Sequence, residues 1–303
     1  MYNICRYILK MDKNSNIKSN IKSNIKSDMN FVDYIYNEDK PHMLWINYNP
    51  YNNLLIGYGG YDEHKDMYHL HKFDRNLNIK KRQSKSAKDL HITSNAVQHC
   101  TGNYLFSNFT IGHIEVYDYD FKFMYNMDFQ KPLLLGVDPA LLNAIYRYLC
   151  INDICCDVAG NIYGLYDMGT DVYICRYNEK GIFCKSIEIN RSYSNVACGY
   201  GKQIITADRI SGLLKIYDGD RLCVLSEYKI RGLDTFIRSK INLADNTLYI
   251  KYTNNIYCYD MRKMDNASSK PIDILNTDTD NYDFTIINGK LLISKNGELY
   301  YHK

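Results

Sequence analysis

Residues 195–230, NVACGYGKQIITADRISGLLKIYDGDRLCVLSEYKI, spell out one complete antiparallel sheet. NVAC is a short apolar strand that stops at Gly199 and Gly201. KQIITAD is a second strand. Gly212 opens LLKIYD, a third strand with alternating apolar positions. Asp218-Gly219-Asp220 is turn chemistry, because Asp bonds its own backbone locally and Gly tolerates φ > 0. RLCVLSEYKI is the fourth strand. Short strands separated by tight turns pair with their neighbours in chain order.

The same grammar recurs on either side. The first unit runs MLWINYN, NLLIGYG, DMYHLHKFD, LNIKKRQ. The second runs NAVQHCTG, NYLFSNF, HIEVYD, KFMYNMDF, and the third DICCDVAG, NIYGLYD, DVYICRYN, IFCKSIEI. TFIRSKINLAD, NTLYIKY, NIYCYD, PIDILN form the fifth, and DFTIING, KLLISKNG, ELYYHK a truncated sixth. An aromatic followed by Asp or Asn marks each third strand: Phe73-Asp74, Tyr117-Asp118, Tyr177-Asn178, Tyr217-Asp218 and Tyr259-Asp260. The steps are 44, 60, 40 and 42 residues, and Tyr300 follows after 41 more. A period of about 40–45 residues with four strands each is the signature of a propeller blade. The expected fold is an all-β, six-bladed β-propeller spanning residues 31–303.

The sixth unit lacks its outer strand, and FVDYIYN (Phe31–Asn37) stands spare before the first. Pairing it beside Glu298–His302 closes the ring and removes two open sheet edges. Ahead of it, NSNIKSNIKSNIKSD buries too little apolar surface to offset ordering entropy, so residues 1–30 are expected to be a disordered arm. A tethering arm is the alternative for this repeat. The long 60-residue step has a local cause, an insertion at about 131–152. Asp138 as N-cap, Pro139 at the first helical position and a stripe of Leu141, Leu142, Ile145, Tyr148 and Leu149 predict a short amphipathic helix over 138–150. Its stripe either packs on the ring's rim or docks a partner.

IITADRISGLLKIYDGDRLCVLSEY resembles a WD-repeat unit, with Tyr217-Asp218 where Trp-Asp would stand, and LFSNFTIGHIEVYDYDFKFMYNM is similar. The spacing of GKQIITADRISGLLKIYD also resembles the NHL-type repeat, with Asp208 after the second strand. The Gly-His pair that opens WD repeats is absent from the expected positions, and Trp45 is the sole tryptophan. The resemblance covers residues 31–303 and implies a rigid platform for proteins, peptides or RNA; fold alone does not establish function.

Composition narrows the classes. A formal charge of +3 over 303 residues gives no bulk field for nucleic acid. No apolar run is long enough to span a membrane, and the N-terminus lacks an apolar h-region with a cleavage site. Ten cysteines scatter through the chain without an export signal, and Cys175, Cys198, Cys223 and Cys258 sit inside apolar strand-like runs, which fits reduced thiols in the cytoplasm. Adjacent Cys155 and Cys156 are expected on opposite faces of a strand.

Three functions compete. The leading expectation is a non-catalytic scaffold for a protein partner, monomeric as a ring, with Leu141, Ile145 and Tyr148 as one docking face. The second is a metal-dependent hydrolase or lyase. Acidic residues precede most first strands, and Asp89, Asp153, Asp234 and Asp283 at a channel mouth would suit a hard divalent cation; Asp is also simply a good loop residue. His69 and His71, with His64 nearby, offer a weaker zinc set. The third is RNA binding through Lys80, Lys81 and Arg82, placed in an exposed loop after an outer strand, though no aromatics accompany them to stack bases. No phosphate loop, dinucleotide fingerprint, nucleophile elbow or His-Glu-x-x-His motif occurs. No resident cofactor is expected beyond that possible cation.

Overall fold

The computed structural model describes residues 29–32, 45–49, 54–62, 67–73, 79–86, 92–108, 113–127, 150–167, 171–190, 192–199, 201–208, 210–230, 241–244, 246–252, 254–264, 270–278, 282–287, 290–295 and 298–302. These residues are almost entirely β. The only described helical turn is a 3-10 turn at Met261–Lys263.

Strand β1 (Met29–Val32) precedes the first sheet, which holds β2 (Trp45–Asn49), β3 (Leu54–Asp62), β4 (Met67–Phe73) and β5 (Ile79–Ser86). The second holds β6 (Ile92–Gln98), β7 (Tyr104–Asn108), β8 (His113–Tyr117) and β9 (Phe123–Met127). The third comprises β10 (Cys150–Cys156), β11 (Ile162–Asp167), β12 (Val172–Tyr177) and β13 (Phe183–Ile189). The fourth comprises β14 (Tyr193–Cys198), β15 (Gln203–Asp208), β16 (Leu213–Asp218) and β17 (Cys223–Lys229). The fifth is β18 (Ile241–Ala244), β19 (Thr247–Tyr252), β20 (Asn255–Asp260) and β21 (Asp273–Asn276). The last is β22 (Tyr282–Ile287), β23 (Lys290–Lys295) and β24 (Glu298–His302), with β1 on its outer edge. Every pairing is antiparallel and every sheet runs in chain order, β1 excepted.

The first strands of successive sheets lie side by side: β2 by β6, β6 by β10, β10 by β14, β14 by β18, β18 by β22, and β22 by β2. Apolar clusters fill the seams between faces. Leu105, Val116, Ile154 and Tyr177 join the second sheet to the third, and Val172, Ile174, Ile204 and Leu222 join the third to the fourth. Ile205, Ile216, Leu248 and Ile250 continue to the fifth, and Ile256, Phe284 and Ile293 to the sixth. Ile46, Phe73, Leu292 and Leu299 join the sixth sheet to the first. A sheet covered on both faces needs an apolar run rather than alternation. Accordingly IYGLY in β11 and all six residues of β22 are buried. Outer strands β9, β17 and β21 are mostly exposed and β13 has no buried residue, so burial falls toward the last strand.

The repeating aromatic is a seam anchor: Phe73, Tyr117, Tyr177, Tyr217 and Tyr259 are all buried. The polar residue after it fastens the turn. Asp118 Oδ1 accepts from the backbone N–H groups of Asp120 and Lys122 at 2.8 and 2.9 Å. Asn178 does the same for Lys180 and Ile182, and Asp218 for Arg221.

Several expectations need correction. The strand beside Glu298–His302 is described over Met29–Val32; it shares Phe31 and Val32 with the expected Phe31–Asn37, begins two residues earlier, and residues 33–37 lie outside the described residues. Met29 meets His302 and Val32 meets Leu299. Residues 1–28 and 33–44 lie outside the described residues. The helix expected over 138–150 is not borne out: Cys150 and Ile151 open β10, and residues 128–149 lie outside the described residues. A short apolar run such as YLCI does not by itself separate a helix end from a strand start. Lys80, Lys81 and Arg82 stand within β5, as the fourth strand LNIKKRQ has them and not in a loop beyond it. Charges on an outermost strand discourage edge-to-edge pairing.

Candidate functional site

The third and fourth sheets meet along the best described seam, and it is held at several levels. At the first strands, Asp153 of β10 receives the backbone N–H of Val196 of β14 on Oδ2 at 3.0 Å. Its other oxygen, Oδ1, accepts from Ile154 N at 2.9 Å. A bulge between Ile151 and Asp153, matched by one between Tyr193 and Asn195, turns both strands at the same level. Two residues further on, Cys155 Sγ and Cys198 Sγ lie 3.1 Å apart. Burial pushes the Cys155 thiol well above its ordinary range, and the Cys198 hydrogen bond adds to this.

Polar staples cross the seam near its turns. Arg176 Nη2 on β12 lies 2.8 Å from Asp220 Oδ1 in the β16–β17 turn, and Lys202 Nζ lies 2.6 Å from Asp220 Oδ2. The Lys202 hydrogen bond, with Arg176 beside it, holds the Asp220 carboxyl below its usual range. Arg176 also reaches Asn161 Oδ1 at 3.3 Å. Asn161 and the Tyr163 hydroxyl in turn donate to Asp157 Oδ2 at 2.8 and 3.0 Å.

Toward the outer strands the seam opens into a groove of about 590 Å³. Ile187, Glu188, Ile189 and Asn190 from β13 and its end line one side. Lys215, Tyr217, Leu222 and Val224 line the other. Lys215 is paired across its own sheet with Glu227 at 2.9 Å. Burial pushes the Tyr217 phenol up to about 12, so it remains a neutral donor near pH 7. Val224 is 47% exposed, and Ile187 and Ile189 are partly exposed, so the groove presents apolar side chains to solvent. Such a cleft is built to take apolar side chains with a few polar contacts at its rim.

Of the four candidate metal ligands, Asp153 and Asp283 are described. Both are buried and both lie inside first strands rather than before them. Asp283 Oδ2 accepts from Ile46 N at 2.6 Å, which fastens the sixth sheet to the first as Asp153 fastens the third to the fourth. Asp89 and Asp234 lie outside the described residues. Among the described residues no three His, Cys, Asp or Glu side chains converge as a cation site would require. Leu141, Ile145 and Tyr148 lie outside the described residues, as does His64. His69 and His71 fall on β4, and Lys80, Lys81 and Arg82 on β5, where the backbone alone is described.

The groove and the thiol pair escaped the sequence reading. A signal existed for the second: Asp153 and Val196 are separated by 43 residues, and so are Cys155 and Cys198. Residues one period apart on adjacent first strands are neighbours. Cys155 and Cys156 do face different seams, Cys155 toward the fourth sheet and Cys156 toward the second.

No family model matches the sequence, and no curated protein does. Solved structures do. The β-propeller domain of Cps50 (Swd1) from Myceliophteria thermophila matches with a TM-score of 0.56 at 8% identity, over 90% of this chain and 98% of that one. The fold is a β-propeller. Virginiamycin B lyase from Staphylococcus aureus matches this propeller at 0.54 and 10% identity, over 87% and 95% of the two chains. A structure of a nidogen/laminin complex matches at 0.52 and 12%, over 78% and 81%. No described helix of the propeller is long and apolar enough to cross a membrane.

Proposed function

We propose that this propeller is a non-catalytic platform for a protein partner: one ring of six blades, closed by its N-terminal strand, with residues 1–28 as an appended arm. Six four-stranded sheets, the circular order of their first strands, the Asp283–Ile46 bond and the β1–β24 pairing support that ring. The partner binds as an extended apolar segment in the groove between the third and fourth blades.

The groove itself carries this reading. Its lining alternates Ile187 and Ile189 with Glu188 and Asn190, and adds Leu222 and Val224 opposite. Among the described strands β13 pairs only with β12, so its outer edge is available to an added strand. Backbone bonds to that edge would give affinity, and the apolar positions would give specificity. The similar solved structures include a lyase and a nidogen/laminin complex, so fold alone does not choose between chemistry and binding. The carboxylates of Asp153 and Asp283 serve backbone N–H groups, which favours a structural role for them over a catalytic one. A reducing intracellular compartment is part of this reading, supported by thiols buried inside apolar strands at Cys155, Cys175 and Cys258.

A random peptide library displayed on phage tests it. The wild-type chain should enrich peptides with alternating apolar residues, and Val224→Asp should lose them while keeping its melting temperature. Enrichment unaffected by Val224→Asp, or no enrichment at all, would remove the groove from the account.

A further inference from the structure

We propose that Cys155 and Cys198 form a redox-active dithiol, which closes into an inter-sheet disulfide when a low-molecular-weight disulfide oxidises it. Geometry is the basis. Strands β10 and β14 are fixed side by side by the Asp153–Val196 bond, and the two thiols stand two residues beyond it with sulfurs 3.1 Å apart. Both cysteines are free. The sixth-to-first seam lacks the feature. At the equivalent Asp283–Ile46 bond, the residues two further on are Thr285 and Tyr48.

The two sulfurs differ in access, and that orders the chemistry. Cys155 is 8% exposed, while Cys198 is only partly covered. Cys198 therefore meets the reagent first. Its thiolate attacks one sulfur of the small disulfide, breaking that S–S bond and expelling one small thiol, which takes up a proton. Cys155 then gives up its proton and attacks the Cys198 sulfur of the mixed disulfide, expelling the second small thiol. Two protein thiols are oxidised to one disulfide, and one small disulfide is reduced to two thiols. Burial keeps Cys155 protonated until a leaving group is in place beside it. The bridge would close a loop of one blade period in the unfolded chain, which raises stability on oxidation. This inference is independent of the groove and of what binds there.

The test uses the full chain, purified reduced, freed of reductant and incubated with oxidised glutathione. Alkylation and non-reducing peptide mapping should find the Cys155 and Cys198 peptides joined and two hydrogens lighter, reverting with dithiothreitol. The oxidised form should melt several degrees higher. Cys156→Ser should keep the link, which assigns it to Cys155. Cys155→Ser should stop at one glutathione on Cys198. All ten thiols alkylating after oxidation would overturn the proposal. So would a link joining other cysteines, or one that survives in Cys155→Ser. Wild-type mapping decides even if a variant fails to fold.

Discussion

Asp283 and Asp153 show how one side chain can serve a whole assembly. Each accepts a backbone N–H from the next sheet, at 2.6 and 3.0 Å, in a place that water does not reach. Removing the acceptor strands a buried donor, which costs roughly 1–3 kcal/mol. Asp283→Ala should therefore lower the urea-unfolding free energy by that amount, and Asp283→Asn, which keeps an acceptor, should recover most of it. Asp220→Asn should cost less than about 1 kcal/mol, because its ion pairs are partly solvated. Asp260 makes a separate prediction in pH. Hydrogen bonding and charge from Arg262 hold its carboxyl at about 2. An unfolded Asp titrates near ~3.9, so this contribution is present above about pH 4 and disappears as pH falls toward 2. The melting-temperature gap between wild type and Asp260→Asn should narrow below pH 4; a constant gap would rule the pair out. Sequence alone placed Asp153 and Asp283 in or near first strands. It did not show their task, because the partner N–H belongs to another sheet and depends on how sheets align.

Strands and turns were the most legible elements. Runs such as IITAD and LLKIYD carry their own pattern, and Asp or Asn after the aromatic predicts the turn that it fastens. Where the pattern was degenerate the reading slipped: YLC (148–150) read as the end of a helix, yet Cys150 opens a strand. The basic run reads both as the end of the strand LNIKKRQ and as an exposed loop after it; it lies in β5, as the strand reading has it. The turn glycines can be tested against each other. Gly160 has φ +83°, and a Cβ there would stand 2.5 Å from Cys100 Sγ and 3.1 Å from Glu179 Cβ. Gly201 has φ +65° with open space around it. Gly201→Ala should cost about 1–2 kcal/mol for the left-handed conformation alone. Gly160→Ala should cost roughly 1–3 kcal/mol more, from overpacking. Equal losses in denaturant titration would mean that crowding at Gly160 is relieved without cost.

The molecule as a whole depends on each sheet covering its neighbours. A single four-stranded sheet has two apolar faces and cannot bury both alone, so stability comes from the seams. The seam from sixth sheet to first, lined by Ile46, Phe73, Leu292 and Leu299, is where the proposed ring would close. Period and strand count were readable because every blade repeats them. The groove was not, because it arises between two outer strands whose exposure no single period records. Strand β1 completes the last sheet, and its four residues face His302 back to Leu299. Comparing two truncations by thermal denaturation tests this closure most directly. Deleting residues 1–28 should leave the melting temperature within about 2 °C of wild type. Deleting 1–32 should lower it by roughly 5 °C or more, since a few kcal/mol of pairing and seam packing are lost. Equal melting temperatures for the two truncations would contradict a ring closed by its own first strand.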